Sequence, residues 1–323
     1  MIVDLLPTDD QAMIADAVTA FFADRLPVGR LREPRYHGGG AEAELFGDLA
    51  GLGLFGLGVA AERGGVGYTL AEEVIVAMRM GEALVSPTVL ATMLAAHAGD
   101  PAAYAAGRKA CFANLLPAPR GTAAELQIID GTGADDWLIV GDGRLFLAAA
   151  AEATPTRGMD ETVTLACAPA LPAGAQRPDE AGLHARFELL TAAYLSGMAR
   201  AALDMAVAYV KVREQFGRPI GAFQAIKHGC ADMALRVEAA HSQTCYVAAL
   251  AGTGAPGSAD AAAARLLATD AALANARTNI QFHGGMGFTD EADAHYYLKR
   301  SHLFATLGTN RYRLQAAIMA APR

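Results

Sequence analysis

Beyond residue 186 the sequence carries three helix-length segments separated by two breaks, and that spacing constrains the fold more than any other feature. The first segment runs to Glu214 and meets Gly217-Arg218-Pro219-Ile220-Gly221. Proline has no amide hydrogen to donate and forces the preceding residue out of helical geometry, so a helix cannot continue through it. A second segment runs to about Leu250 and ends in the flexible link Gly252–Ser258, and a third covers roughly 259–280. The Gly-rich loop His283-Gly284-Gly285-Met286-Gly287 follows, and two shorter helices finish the chain. Consecutive helices joined by short links must bury their apolar stripes against one another, which gives a bundle.

The amino-terminal part is also helical, but built from shorter pieces. Thr8-Asp9-Asp10-Gln11 and Thr69-Leu70-Ala71-Glu72 have the form of capping boxes, in which a threonine hydroxyl and a residue three places on satisfy each other's amides. Ile14, Val18, Phe21 and Phe22 then share one helical face, as do Leu70, Val74, Ile75 and Met78. Between about 106 and 185 the period changes. Leu126–Ile129, Trp137–Val140 and Val163–Leu165 are short apolar runs bounded by Gly, Asp and Pro, the pattern of strands, and Asp179–Gly182 reads as the exit turn. The expected fold is therefore mainly α with a β insert: a helical domain over 1–105, a reduced β domain over 106–185 and a carboxy-terminal bundle over 186–323.

Composition narrows the partners. A net charge of −8 and a pI of about 5.5, without a basic cluster, argue against nucleic acid and against an anionic membrane surface. The chain is 53% hydrophobic but only 7% aromatic, so the apolar surplus lies in Ala, Leu, Val and Met and can extend into subunit contacts. The four cysteines show no CxxC spacing and read as reduced thiols. MIVDLLPTDD is acidic where a signal peptide is basic, and the Ala-rich stretch 261–276 is interrupted by Arg265 and Asp270. A cytoplasmic location is expected.

Three segments carry a family likeness. LAGLGLFGLGVAAERGGVGYTLAEE (49–73), VREQFGRPIGAFQAIKHGCADM (212–233) and QFHGGMGFTDEADAHYYLKRS (281–301) resemble, in order and spacing, three signature segments of the acyl-CoA dehydrogenases. The resemblance implies an amino-terminal helical domain, a middle β domain and a four-helix bundle, with FAD shared between subunits. It also implies α,β-dehydrogenation of an acyl-CoA thioester, with a carboxylate taking the α-proton and the flavin taking the β-hydride. The positions matching the family's grip on the ADP part of FAD are Arg213, Gln215, Phe216, Gln224, Gln281, Gly284 and Gly285. Independently of the family, an arginine fork suits a pyrophosphate, and paired glycines let the main chain approach one.

The carboxylate base is missing. Its usual place near the end of the bundle maps onto Leu307 in Thr306-Leu307-Gly308-Thr309, and the family's other place, on the first bundle helix, maps onto Phe187. Neither side chain accepts a proton. Glu188 lies one residue on, about 100° round a helix, so it is expected to point elsewhere as a solvated surface residue, although it is the nearest substitute base. The segments that cover the flavin ring in the family have no clear counterpart around 112–120 or 135–143.

These features together resemble the base-less subunit of a heteromeric, α2β2 acyl-CoA dehydrogenase of the sterol side-chain type. A second dehydrogenase-like subunit would then supply the base. Two other readings compete: a scaffold or regulatory paralogue without flavin, and a flavin monooxygenase on the same fold. Gly51-Leu52-Gly53-Leu54-Phe55-Gly56 fits a dinucleotide fingerprint literally, but the residues before it look helical rather than like a strand. His241 and Cys245, four apart, are too few to hold a metal, and His283 is read either as a cofactor contact or as a loop residue.

Overall fold

The structure is a computed structural model that describes residues 5–33, 39–116, 125–141, 143–169, 171–172, 174–178, 182–252 and 255–321. The exit turn read at Asp179–Gly182 falls outside these except for its glycine, as does part of the segment around 112–120.

Six helices come first: α1 (Asp9–Arg25), α2 (Gly40–Glu44), α3 (Phe46–Gly51), α4 (Leu70–Glu82), α5 (Pro87–Ala98) and α6 (Pro101–Ala105). Both expected capping boxes form. The Thr8 hydroxyl accepts from the Gln11 amide, and the amide of Thr69 donates to the Glu72 carboxylate. Gly53 stands in the left-handed region and leads into a 3₁₀ turn at Leu54–Gly56, so the G-x-G-x-x-G match is a helix end and not a nucleotide loop.

The β region is one six-stranded sheet. In chain order its strands are β1 (Ala110–Leu116), β2 (Glu125–Ile129), β3 (Asp136–Gly141), β4 (Arg144–Ala149), β5 (Thr154–Thr156) and β6 (Leu165–Pro169). They lie side by side as β4-β3-β1-β2-β6-β5, with β1 and β3 parallel and every other pair antiparallel. Alternate residues face opposite ways along a strand. Phe112, Ile129, Leu138 and Val140 accordingly join the main core, while Cys111, Ile128, Trp137 and Ile139 build a smaller second core. The run read as Val163–Leu165 is the entry to β6, which continues to Pro169.

The carboxy-terminal part is α7 (Leu183–Val212), the two-residue strands β7 (Glu214–Gln215) and β8 (Arg218–Pro219), α8 (Gln224–Ala251), α9 (Ser258–His283), α10 (Ala294–Thr306) and α11 (Arg311–Met319). α7 packs along α4 and α9, buried on nearly every side over its first half. α4 and α7 meet at glycines. A Cβ on Gly81 would collide with the backbone of Tyr194, and one on Gly197 with that of Met78, so the two helix backbones touch directly.

Buried ion pairs fasten α10 and α7 to the rest. Arg300, wholly buried on α10, donates to Asp160 and Thr162 of the β5–β6 connection and to the carbonyl of Val85. Arg186 on α7 pairs with Glu73 of α4, whose carboxylate also meets His97 of α5 at 2.7 Å. Burial alone would raise the Glu73 pKa, but these two partners outweigh it and hold it low. Among the described residues no helix is long and apolar enough to cross a membrane, and no group of three or more His, Cys, Asp or Glu could hold a metal.

Candidate functional site

The residues assigned to nucleotide binding gather at one end of the bundle. α7 ends at Val212, and the chain turns back through the β7–β8 hairpin, in which the Ile220 amide donates to the Arg213 carbonyl. Phe216 and Gly217, at the tip, both have positive φ. Left-handed geometry at both central residues matches the twist of a two-residue hairpin, which is why the turn is tight here. The ends of α7 and α9 are held together by Tyr209 stacked on His283 at 4.0 Å, and the Phe282 ring of α9 fills the space beside Gly229 of α8. Gln281, Gly284 and Gly285 therefore lie on the same end of the bundle as Arg213, Gln215, Phe216 and Gln224. His283 is used internally: its ring also meets the Asn279 carbonyl at 2.8 Å.

All seven of those residues are exposed. Phe216 is 90% exposed, and Val212, Met286 and Phe288 are also exposed. Arg218 lies 4.3 Å over the Phe223 ring, which holds the hairpin against the start of α8. A surface that combines an unburied guanidinium, three glutamine amides, a glycine pair and large apolar side chains suits the ADP part of a dinucleotide together with a second protein surface.

The other half of the site is organised in the opposite way. Leu307 is 1% exposed and Phe187 is fully buried. The two positions that carry the base in the family converge, because Gly308, at φ +75°, lies directly against the Phe187 ring and a Cβ there would strike it. Phe187 in turn meets Phe112 of β1 edge-on at 5.9 Å. The Thr306–Thr309 segment is clasped from both sides. Asn114 of β1 donates to the Thr306 carbonyl at 3.0 Å and accepts from the Gly308 amide at 2.9 Å. Arg265 of α9 donates through Nη2 to the carbonyls of Phe304 and Leu307, placing a cation where the α10 helix ends and its dipole is negative. The surroundings of Leu307 and Phe187, where the sequence resemblance expects a base, are thus apolar and packed, with the adjoining main chain tied down.

Glu188 does not match the surface residue expected of it. It is 2% exposed, because this half of α7 is enclosed by α9 and the 306–309 segment. The expected rotation away from Phe187 holds, but it directs Glu188 towards His184 at 3.5 Å and Arg265 at 4.0 Å rather than to solvent. Burial raises its pKa, opposed by Arg265. Burial pushes His184 down to about 4, aided by Arg265, and its Nε2 lies 3.1 Å from the Thr309 hydroxyl.

Sequence reasoning missed Asn114 and the role of Arg265. The one available signal was a lone arginine inside an alanine-rich helix, since a charge in such a stretch is either exposed or deliberately paired. Asn114 gave none, because the strand that carries it was not read. His241 and Cys245 do adjoin, with Sγ 3.7 Å from Nε2. Burial raises that thiol to about 11, which leaves it protonated and unreactive.

Comparison with known proteins shows which family the chain belongs to. The family profile "Acyl-CoA dehydrogenase, N-terminal domain" matches residues 8–118, and "Acyl-CoA dehydrogenase, C-terminal domain" matches residues 184–319. The acyl-CoA dehydrogenase IpdE2 of Mycobacterium tuberculosis is 32% identical over 313 residues, covering 94% of both chains. The acyl-CoA dehydrogenase FadE34 of the same organism is 36% identical over 80% of this chain, which spans only 39% of that protein's length. Among solved structures, a variant of the Tcur3481-Tcur3483 steroid ACAD superposes with a TM-score of 0.76 at 22% identity, covering 96% of this chain and 97% of that one. The ChsE4-ChsE5 complex from Mycobacterium tuberculosis gives a TM-score of 0.74 at 21% identity, covering 99% of this chain and all of that chain. At such identities the structural likeness speaks for the fold.

Proposed function

We propose, from the premise that this chain belongs to the acyl-CoA dehydrogenase family of FAD-dependent oxidoreductases acting on CH–CH bonds, that it is the base-less subunit of a two-chain enzyme. In this reading its bundle end, through Arg213, Gln215, Phe216, Gln224, Gln281, Gly284 and Gly285, grips the ADP part of an FAD. A second dehydrogenase-like subunit supplies the carboxylate and most of the pocket for the flavin ring. FAD held there would supply the acceptor for the hydride of the thioester's β-carbon, and the partner's carboxylate would take the α-proton. This chain's own residues bind and orient the cofactor and close the subunit contact.

The observation that carries the proposal is that Leu307 and Phe187 are both buried apolar residues, with Gly308 packed against the Phe187 ring and the adjoining main chain fastened by Asn114 and Arg265. A general base must stand within hydrogen-bond reach of the proton it removes, and no carboxylate occupies either place. The substrate class follows the named relatives. The solved Tcur3481-Tcur3483 protein is a steroid ACAD, and a CoA thioester of a steroid side chain is the substrate we assign here.

The test is expression of the chain alone and together with a dehydrogenase-like partner that carries a glutamate at the position equivalent to Leu307. FAD content and steroid-acyl-CoA-dependent dye reduction are read for each preparation. The proposal expects both in the pair and neither in the lone chain. Stoichiometric FAD and turnover from the lone chain would refute it. A stable pair that never takes up flavin favours the scaffold reading instead.

A further inference from the structure

A cleft of about 360 Å³ opens beside Glu188, and no step of the proposed reaction uses it. It lies between the first turns of α7, the start of α9, the turn before β4 and the inner face of α11. Its polar lining is Glu188, His184, Thr309, Ser258 and Arg313, and its apolar walls include Ala262 and Leu314. Glu188 is the unusual member. Its side chain is 3% exposed and neither carboxylate oxygen has a partner at full hydrogen-bond geometry among the described residues; the His184 ring, the Arg265 guanidinium and the Thr309 hydroxyl are only loosely disposed about it. Buried polar groups are nearly always satisfied, and each exception calls for a ligand, a water or a functional reason.

We infer that this cleft is a binding site for a compact, uncharged molecule that carries a hydroxyl group on an apolar body, with the hydroxyl donating to Glu188. The charges around the site select against ions of either sign. A bound cation would face Arg265 behind the carboxylate and Arg313 in the wall. A bound anion would face the unsatisfied carboxylate itself, and burying an unpaired charge costs far more than burying a hydrogen-bonded hydroxyl. A hydroxyl group answers what the site lacks. It gives Glu188 a donor, and its oxygen can accept from the Thr309 or Ser258 hydroxyl. The alanines of α9 and α11 leave room for a ring-sized hydrocarbon, since the volume equals that of about twelve liquid waters. The inference is independent of the two-chain reading, because it rests only on this chain's own cleft.

The test uses the purified full chain, alone or in its native assembly, and titrates cyclohexanol, cyclohexylamine and cyclohexanecarboxylate by calorimetry and by NMR. Saturable one-to-one binding of cyclohexanol is expected, with the amine and the carboxylate at least tenfold weaker. Glu188→Leu should weaken the alcohol at least tenfold. Because that variant also leaves Arg265 without its nearest counter-charge, Ala317→Phe serves as the second variant, filling the cleft from a half-buried position on α11 without touching Glu188. It should abolish binding while the chain keeps its fold. The inference is overturned if the alcohol shows no saturable binding, so that the cleft holds only water. It is equally overturned if either ion binds as tightly, or if the alcohol binds Ala317→Phe unchanged.

Discussion

The two ends of the carboxy-terminal bundle differ in what their side chains are doing. At the hairpin end, Arg213, Gln215, Phe216, Gln224 and Gln281 are exposed and the local structure is held by backbone geometry and ring stacking. At the opposite end, Leu307, Phe187, Glu188 and Arg265 are buried and bound into one contact with the β sheet. The first surface is built to meet something outside the chain. The second is packed against the chain's own sheet and helices, with Leu307 and Phe187 almost wholly excluded from solvent. Substitutions should therefore trade off differently: stability moves at the closed end, and association moves at the open end.

The largest effect is expected from restoring a base. Leu307→Glu puts a carboxyl group into a site 1% exposed, where the nearest cation, Arg265, already serves main-chain carbonyls. An unpaired buried charge typically costs about 3–5 kcal/mol, and chemical denaturation of the variant should show a loss of that order. The lone variant should gain no dehydrogenase activity. Arg265→Met should cost a similar amount, because it strands Glu188 and frees the carbonyls of Phe304 and Leu307. Replacing both charges, with Arg265→Met and Glu188→Leu, should recover the share due to the stranded carboxylate but not the share due to the freed carbonyls, since apolar groups often substitute for a buried pair at little cost. If the double variant is no more stable than Arg265→Met, the charges are not coupled and the closed end is held by packing alone.

Asn114→Ala comes next. It removes two hydrogen bonds to the 306–308 segment and leaves a part-buried carbonyl and amide without their protein partner, which should cost about 1–2 kcal/mol. This residue also marks where sequence reading ended. The bundle helices, both capping boxes and the strands at 125–129 and 136–141 were legible because their signals are local: periodicity, caps and Gly or Pro breaks. The strand Ala110–Leu116 was not. It has no alternation to read, because it sits at the centre of the sheet with both faces covered. Glu188 was misplaced for a related reason. Helical rotation shows that it leaves the Phe187 face, but whether the face it turns to meets water or another helix depends on α9, about 75 residues further along. At the open end Arg213 and Gln281 were singled out by their motifs, and the structure shows both exposed at the same end of the bundle.

At that open end Phe216 separates stability from association. It is 90% exposed and stands at φ +54°, where a bulky side chain is disfavoured. Phe216→Gly relieves the strain but also removes the edge-on contact of its ring with Phe223 at 6.0 Å, so the lone chain's stability should stay within about 1 kcal/mol of the wild type. The same substitution should weaken FAD retention and partner association, read by flavin absorbance after gel filtration of the co-expressed pair. A variant that assembles and holds flavin normally would make the hairpin a mere turn, and the contrast between the two ends would lose its functional half.

The smallest effect is a change in how stability depends on pH, and it isolates the two titrating groups of the closed end. Glu188 has a raised pKa, so in the window above the ordinary carboxylate range the folded chain holds a proton that the unfolded chain has lost, and stability falls as pH rises. His184 is pushed the other way, to about 4, so between there and its ordinary value near 6.5 the unfolded chain binds the extra proton and stability rises with pH. These two opposed slopes add to those of the other shifted groups in the same window, Asp130 and Glu82 (raised) and His241, His295 and His302 (lowered), so the variants are read as differences from the wild-type profile. Glu188→Gln should steepen the rise towards neutral pH, and His184→Asn should flatten or reverse it, each measured as denaturation midpoint against pH. Phe216→Gly should leave the profile unchanged, because no titrating group of the closed end touches the hairpin. Parallel shifts in both His184 and Glu188 variants would mean that the two groups titrate as one unit and that the charges about Arg265 are not resolved into separate steps.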